Sequence, residues 1–186
     1  MKLNKNIAFA FAALIIVAAF YRIIPGRPLG FAPQIAMALF AGSVIKDRKY
    51  AFTLPLFSMF LSDLVFQSLF NSGWSSIPGF YEGQLLNYIL FGGLTVIGFW
   101  INQTKAFQIG LASLAGPTVY FLISNLLVWM SGGGFNRPKT VSGLLMAYTD
   151  GIPFYTGSVA ATILFSAMLF GGYALVRSGA TRTQTI

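Results

Sequence analysis

No cysteine and no histidine occur in this 186-residue chain, and only four residues are acidic. The first two absences exclude disulfides, thiolate nucleophiles, imidazole bases and the usual ligand sets of zinc, haem and iron–sulfur centres. No metal site and no cofactor is therefore expected. A Gly-x-x-x-x-Gly-Lys phosphate loop and a Gly-x-Ser-x-Gly elbow are missing as well, so no ATP-driven engine is encoded. No two carboxylates lie close enough in sequence to pair as acid and base, and the chain is not read as an enzyme. Polar surface is scarce too. With 56% hydrophobic and 9% charged residues, the chain cannot coat a globule that faces water on all sides. Its formal charge of +8 would suggest nucleic acid in a soluble protein. Here the Lys and Arg lie in short loops and tails, where membrane topology and anionic headgroups account for them, and no nucleic-acid partner is expected.

What the chain does have is apolar length. Six stretches, at 7–24, 30–45, 51–70, 85–102, 106–131 and 153–176, predict an all-α membrane protein of six transmembrane helices in one compact bundle, since roughly 20 helical residues cross the hydrocarbon layer. Residues 1–178 form the single transmembrane domain, and 179–186 read as a disordered cytoplasmic tail. Lys2 and Lys5 before the first apolar run resemble a secretory signal. The run continues into Phe20 and Tyr21 without a small-x-small site, so an uncleaved first helix is expected. Pro25 and Pro28 break the chain after it, and Lys46-Asp47-Arg48-Lys49 makes a charged turn after the second stretch. In the long connection before the last span, Thr140 is placed to cap a short interfacial helix over 141–148, ended by Gly151.

Orientation follows from the basic residues. With the N-terminus inside, Lys2, Lys5, Lys46, Arg48, Lys49, Lys105, Arg177 and Arg182 are cytoplasmic, which is eight, against four outside at Arg22, Arg27, Arg137 and Lys139. The positive-inside rule favours this arrangement, with both termini cytoplasmic, which puts both long connections outside.

Most of the few polar side chains in the spans fall in that outer half. Asp63, Gln67 and Asn71 are spaced i, i+4, i+8 and form one stripe. A carboxylate at the depth of Asp63 costs about 2.5 to 3.5 kcal/mol on insertion scales, so it must face a cavity or a partner. Asn125 and Trp129 share a face above Tyr120 and Ser124, and Gly116-Pro117 predicts a kink below them. Gln34, Asn87, Tyr88, Asp150, Tyr155 and Arg22 complete the set, with Trp74, Tyr81 and Tyr148 in or beside the connections. Two readings stay open. The polar groups line a site for a small organic ligand, or they are helix glue in a scaffold subunit, with Asp63 paired to Arg22 and the aromatics forming an interfacial belt. Ala8/Ala12, Ala38/Gly42 and Ala112/Gly116 are small-xxx-small pairs suited to close helix approach.

Several short motifs run in a distinctive order: Arg22-x-x-Pro25, the 33–42 segment ending Leu39-Phe40-Ala41-Gly42, Pro55-Leu56 followed by Ser62-Asp63, Asn125-x-x-x-Trp129, and Pro138-Lys139-Thr140 leading to Tyr148 and Ile152-Pro153-Phe154. Over residues 20–155 the chain resembles the substrate-binding S components of energy-coupling-factor (ECF) vitamin transporters. It resembles more closely an uncharacterised bacterial family of small six-helix membrane proteins related to them. The resemblance implies a vitamin-like micronutrient captured from outside under the loops after spans three and five. Arg22, Gln34, Asp63, Gln67, Trp74, Tyr81, Asn87, Asn125, Trp129, Tyr148 and Asp150 are the candidate ligand residues. It further implies a separate membrane scaffold and ATPases as partners, docked through an Ala-x-x-x-Ala face that Ala8 and Ala12 would supply. Some relatives act alone, including solitary cobalamin transporters that ligate cobalt through cysteine, and this chain has no cysteine for that role.

Overall fold

A computed structural model describes residues 5–24 and 26–183, with side chains described for 12–24 and 26–177. Among these residues there are six helices and no strand: α1 (Lys5–Ile23), α2 (Gln34–Val44), α3 (Arg48–Asn71), α4 (Gln84–Gly98), α5 (Ala106–Ser131) and α6 (Val141–Thr183). Three stretches are long and apolar enough to cross a bilayer, Arg48–Asn71, Ala106–Ser131 and Val141–Arg177. On α5 and α6 they present exposed Leu111, Leu114, Leu122, Ile163, Leu164 and Met168. Apolar stripes of that extent would be untenable in water and mark a membrane protein.

The expected spans of α2 and α4 are shortened. α2 has 11 residues and α4 has 15, about 16 and 22 Å at the helical rise, each short of the roughly 30 Å of a hydrocarbon core. α2 cannot begin at residue 30 because Gly30 takes a left-handed φ of +70° and Pro33 sits at the N-cap. Residues 34–42 are all buried, and α2 packs against α3, α4, α5 and α6 as the central rod of the bundle. One core cluster joins Met37, Phe40 and Ala41 to Ala18, Leu54 and Phe170. A second joins Ile35, Ala38 and Leu39 to Met59, Phe91 and Leu94. Of the small-residue pairs, Ala38/Gly42 receives α4, whose Gly98 backbone lies against the carbonyls of Ala38 and Leu39, and Gly116 rests on Ile35 and Leu39.

The end of the chain departs furthest from expectation. Thr140 does cap, its Oγ1 accepting from the Gly143 amide at 3.1 Å, but the short interfacial helix does not stop at Gly151. It continues through Pro153 as part of the 43-residue α6. Gly151 serves packing instead of termination. A Cβ there would lie 2.5 Å from Asn125 Oδ1, so a larger residue would displace the Asn125 side chain where α5 and α6 meet. α6 also extends as helix into the region expected to be a disordered tail, as far as Thr183; residues 184–186 lie outside the described ones. α5 remains a single helix through Pro117.

Because successive helices run antiparallel, the α1–α2, α3–α4 and α5–α6 connections meet at one end, called here the polar end. The α2–α3 and α4–α5 corners meet at the other, where Ser43 Oγ donates to the Ile101 carbonyl at 3.0 Å.

Candidate functional site

At the polar end, Arg22 closes α1 and reaches across to α3. Its Nη1 donates to the Met59 carbonyl at 3.2 Å, to Ser62 Oγ and to Asp63 Oδ1 at 2.8 Å. Asp63 is 2% exposed, and its second oxygen accepts from Gln84 Nε2 and from the Tyr88 hydroxyl at 2.6 Å. Gln84 and Tyr88 stand one turn apart at the start of α4, so one helix face supplies both donors. The carboxylate is thus paired and hydrogen-bonded on both oxygens, which is the condition for holding a charge at this depth.

The loop over 72–83 presses directly on this network. A Cβ on Gly79 would fall 1.8 Å from the Asp63 carbonyl oxygen and 2.5 Å from the Gln67 amide nitrogen. Gln67 pins the same loop, its Oε1 accepting from the Phe80 amide at 3.1 Å while its Nε2 donates to Asn71 at 2.9 Å. Asn87 forms a second group, donating to the Tyr81 hydroxyl and accepting from Tyr120 at 2.9 Å. Trp74 takes no part. At 85% exposed it projects from the loop, as an interfacial aromatic would.

A third group gathers between α5 and α6 around a pocket of about 160 Å³, lined by Asn125, Val128, Trp129, Arg137, Asp150 and Phe154, among others. Arg137 and Asp150 form a two-pronged ion pair, with N–O distances of 2.8 and 2.9 Å. The hydrogen bond to Asp150 raises the pKa of the Arg137 guanidinium, so the pair stays charged. Trp129 fastens the 132–140 loop over the pocket: its Nε1 donates to the Pro138 carbonyl at 2.9 Å, and the Lys139 ammonium lies 5.1 Å from the indole centroid. Asn125 Nδ2 donates to the Phe121 carbonyl at 2.8 Å, and the Tyr148 hydroxyl donates to the Leu122 carbonyl at 3.1 Å.

The candidate residues therefore divide. Arg22 and Asp63 belong to one network, Tyr81 and Asn87 to another, and Gln67 to the loop contact; Asn125, Trp129 and Asp150 line the pocket, with Tyr148 bonded to α5 beside it. Asp63 does not line that pocket. Gln34 stands apart as the first residue of α2, 3% exposed, with both Oε1 and Nε2 lacking any hydrogen-bond partner. Ala12 is exposed on α1, while the Ala8 side chain lies outside the described residues. Sequence reasoning left Gln84 and Arg137 out of the site. The i, i+4 spacing of Gln84 and Tyr88 was available as a signal, whereas nothing local announces a pairing of Arg137 with Asp150 across 13 residues. No group of three or more metal-ligating side chains exists among the described residues.

Over residues 2–184 the chain matches a family described as a family of unknown function, DUF6580. The chain belongs to that family. No curated protein and no solved structure matches it. A wide hollow of about 720 Å³ opens between α5 and α6 at the opposite end, from Gln103 and Thr104 to Arg177. Its walls include Ile109, Ile163 and Phe170, and none of the candidate residues lines it.

Proposed function

We propose that this protein is a six-pass membrane protein of the bacterial inner membrane that captures a small organic solute at its polar end for uptake, in the manner of an ECF S component. The observation that carries the reading is the roofed pocket of about 160 Å³ in which Asn125 and Trp129 meet the Arg137–Asp150 pair. Few polar groups converging on an aromatic-walled hollow is the usual form of a small-molecule site. The volume suits a compact solute, or one moiety of a larger one with the 132–140 loop lifted. Six passes are consistent with the alternating helices. α2 is sheathed by α3, α4, α5 and α6, with residues 34–42 buried, and so need not match the bilayer thickness. With eight basic residues on one side and four on the other, both termini face the cytoplasm and the polar end faces outward.

The test is native mass spectrometry of protein purified from membranes, followed by binding or uptake assays on Asn125→Ala and Trp129→Ala. A stoichiometric small molecule that either substitution displaces supports capture. A protein that carries none, and an uptake rate indifferent to both substitutions, rules it out.

One observation favours a second reading, a scaffold or assembly subunit that binds no solute. Asp63, the most conspicuous polar group in the spans, is fully occupied by Arg22, Gln84 and Tyr88, as helix glue would be. That reading predicts co-purifying proteins and no bound small molecule.

A further inference from the structure

The wide hollow between α5 and α6 is space that solute capture at the polar end leaves unused. The two helices are two of the three stretches able to cross a bilayer. Toward the polar end they are fastened together, with Thr118 Oγ1 and the Tyr155 hydroxyl 2.9 Å apart and the Phe121 and Tyr155 ring centroids at 4.7 Å. Toward the opposite end they leave about 720 Å³ between them. α5 lines this space with Ala106, Gly110 and Ser113, and α6 with Ala167, Gly171 and Ala174, each set spaced i, i+4, i+7 on one helix face. Small residues so spaced ordinarily let two helices close on each other. Here a Cβ on Gly110 or on Gly171 would meet nothing within 4 Å. Phe170 and Tyr173 form a fixed floor, their ring centroids 5.2 and 6.0 Å from that of Phe40 on α2. Ile163, Gly110 and Gly171 on the lining are exposed, so the hollow opens sideways to the hydrocarbon.

Length and charge together select an occupant. The lining runs from Ile163 to Arg177 on α6 and from Ala106 to Ser113 on α5, about 21 and 10 Å at the helical rise. A transmembrane helix would need a groove as long as the hydrocarbon core, roughly 30 Å, whereas an acyl chain needs only one leaflet, about half of that. None of the four acidic residues lines the hollow. Gln103, Thr104 and Arg177 form its mouth, and the exposed Lys105 follows Thr104 in the chain. Lys105 is the N-cap of α5, with no side-chain cap on the first amides, so the positive end of that helix dipole lies at the same mouth. The neighbouring corner, joined to this one through Ser43 and Ile101, carries Lys46, Arg48 and Lys49 against Asp47. This end of the bundle is therefore basic, and its one wide opening is apolar.

We infer that the hollow is a lipid site holding one anionic phospholipid, with an acyl chain laid along the two stripes of small residues and the phosphate at the mouth beside Lys105 and Arg177. Basic pockets between membrane-spanning helices are suited to such headgroups. The apolar walls hold the chain, and the basic mouth selects among headgroups. The site stands on α5 and α6 as membrane-crossing helices, and is separate from the pocket of Asn125 and Asp150.

The experiment takes the full-length protein, purified in detergent and stripped of lipid, and titrates it with phosphatidylglycerol, phosphatidylcholine or glycerol 3-phosphate, counting bound molecules by native mass spectrometry. Phosphatidylglycerol is expected to saturate one site. Phosphatidylcholine, with no net charge, is expected to bind that site at least about fivefold more weakly, and glycerol 3-phosphate, a phosphate without a chain, to leave it empty. Gly171→Leu places a side chain in open space, so the fold should stand, and is expected to weaken phosphatidylglycerol at least about tenfold by occupying the path of the chain. Lys105→Gln, at an exposed position that touches no packing, is expected to weaken it about fivefold, the attraction of one basic residue for an anionic lipid. Thermal midpoints without lipid check that both variants are folded. The inference is overturned if phosphatidylcholine binds as tightly as phosphatidylglycerol, if glycerol 3-phosphate binds as well as the lipid, or if either folded variant keeps the wild-type affinity. A dimer that Gly171→Leu abolishes and phosphatidylglycerol does not displace overturns it in favour of a second copy in the hollow. Solute capture is read independently, by the small molecule that Asn125→Ala or Trp129→Ala displaces.

Discussion

The two ends of the bundle invert the usual link between polarity and space. At the polar end, Asp63, Gln67, Asn87 and Asp150 spend their hydrogen-bonding capacity on other protein groups, and the pocket that Asn125 and Asp150 line holds only about 160 Å³. At the opposite end, the apolar walls between α5 and α6 leave about 720 Å³. Two polar atoms on that lining, Ser166 Oγ and Gln103 Oε1, have no partner. Ser166 is exceptional within its helix, where Thr149, Thr156 and Thr162 all return their hydroxyls to backbone carbonyls. A cluster of polar side chains in a membrane bundle thus signals first that those groups must satisfy each other. Hollowness has to be sought separately, as on the lining that Ser166 and Gln103 share.

The largest expected effect tests the claim that Asp63 is structural. Asp63→Ala leaves Arg22 uncompensated and strips Gln84 and Tyr88 of their acceptor, and should lower stability by about 3–5 kcal/mol, measured by denaturant unfolding in detergent. An Asp63→Ala variant as stable as wild type would erase the contrast between a bonded end and an empty one. Next in size is Gly151→Leu, which forces a side chain into Asn125. It should cost about 1–3 kcal/mol and abolish solute binding by filling the pocket, read by unfolding and by native mass spectrometry of the same preparation.

Trp129→Phe keeps an aromatic wall but removes the Nε1 donor to Pro138 and part of the indole, so the 132–140 loop is released while the pocket wall stays aromatic. Solute association and dissociation should both quicken several-fold, with stability changed by about 0.5–1.5 kcal/mol, the worth of one hydrogen bond. Stopped-flow binding distinguishes this from a loss of affinity alone. The smallest effect belongs to the apolar end. Ser166→Ala removes an unsatisfied hydroxyl and should be neutral or stabilising by about 1 kcal/mol or less, with solute binding untouched. A loss of binding in Ser166→Ala would show that the two ends act on one ligand.

Much of the architecture was legible from the chain. The bounds of α5 and the Thr140 cap follow from apolar length and local capping chemistry, and within the i, i+4, i+8 stripe Gln67 bonds both Asn71 and the 72–83 loop while the Asp63 carboxylate turns to Arg22, Gln84 and Tyr88. Apolar continuity does not distinguish a helix from extended chain, so residues 30–33 and 99–102 were counted into α2 and α4, although Gly30 and Pro33 bar the first and α4 ends at Gly98. A terminating glycine and a packing glycine look alike in sequence, and only Asn125 placed beside Gly151 tells them apart. In the site, pairs on one helix face were readable, while Arg137–Asp150 and the division of Asp63 from Asn125 depend on how helices are set against each other, which no local pattern encodes.

The unbroken run of α6 has a mechanical meaning. At 43 residues it is about 64 Å of stiff rod, with Asp150 and Gly151 near its head and the wide apolar groove along its far half. A rod pivots where it is gripped. With Gly151 set closely against Asn125, a rotation of a few degrees about that level would displace the distal turns by several ångströms. On the capture proposed above, a spin label near Thr183 is expected to report occupancy of the pocket near the opposite end of α6.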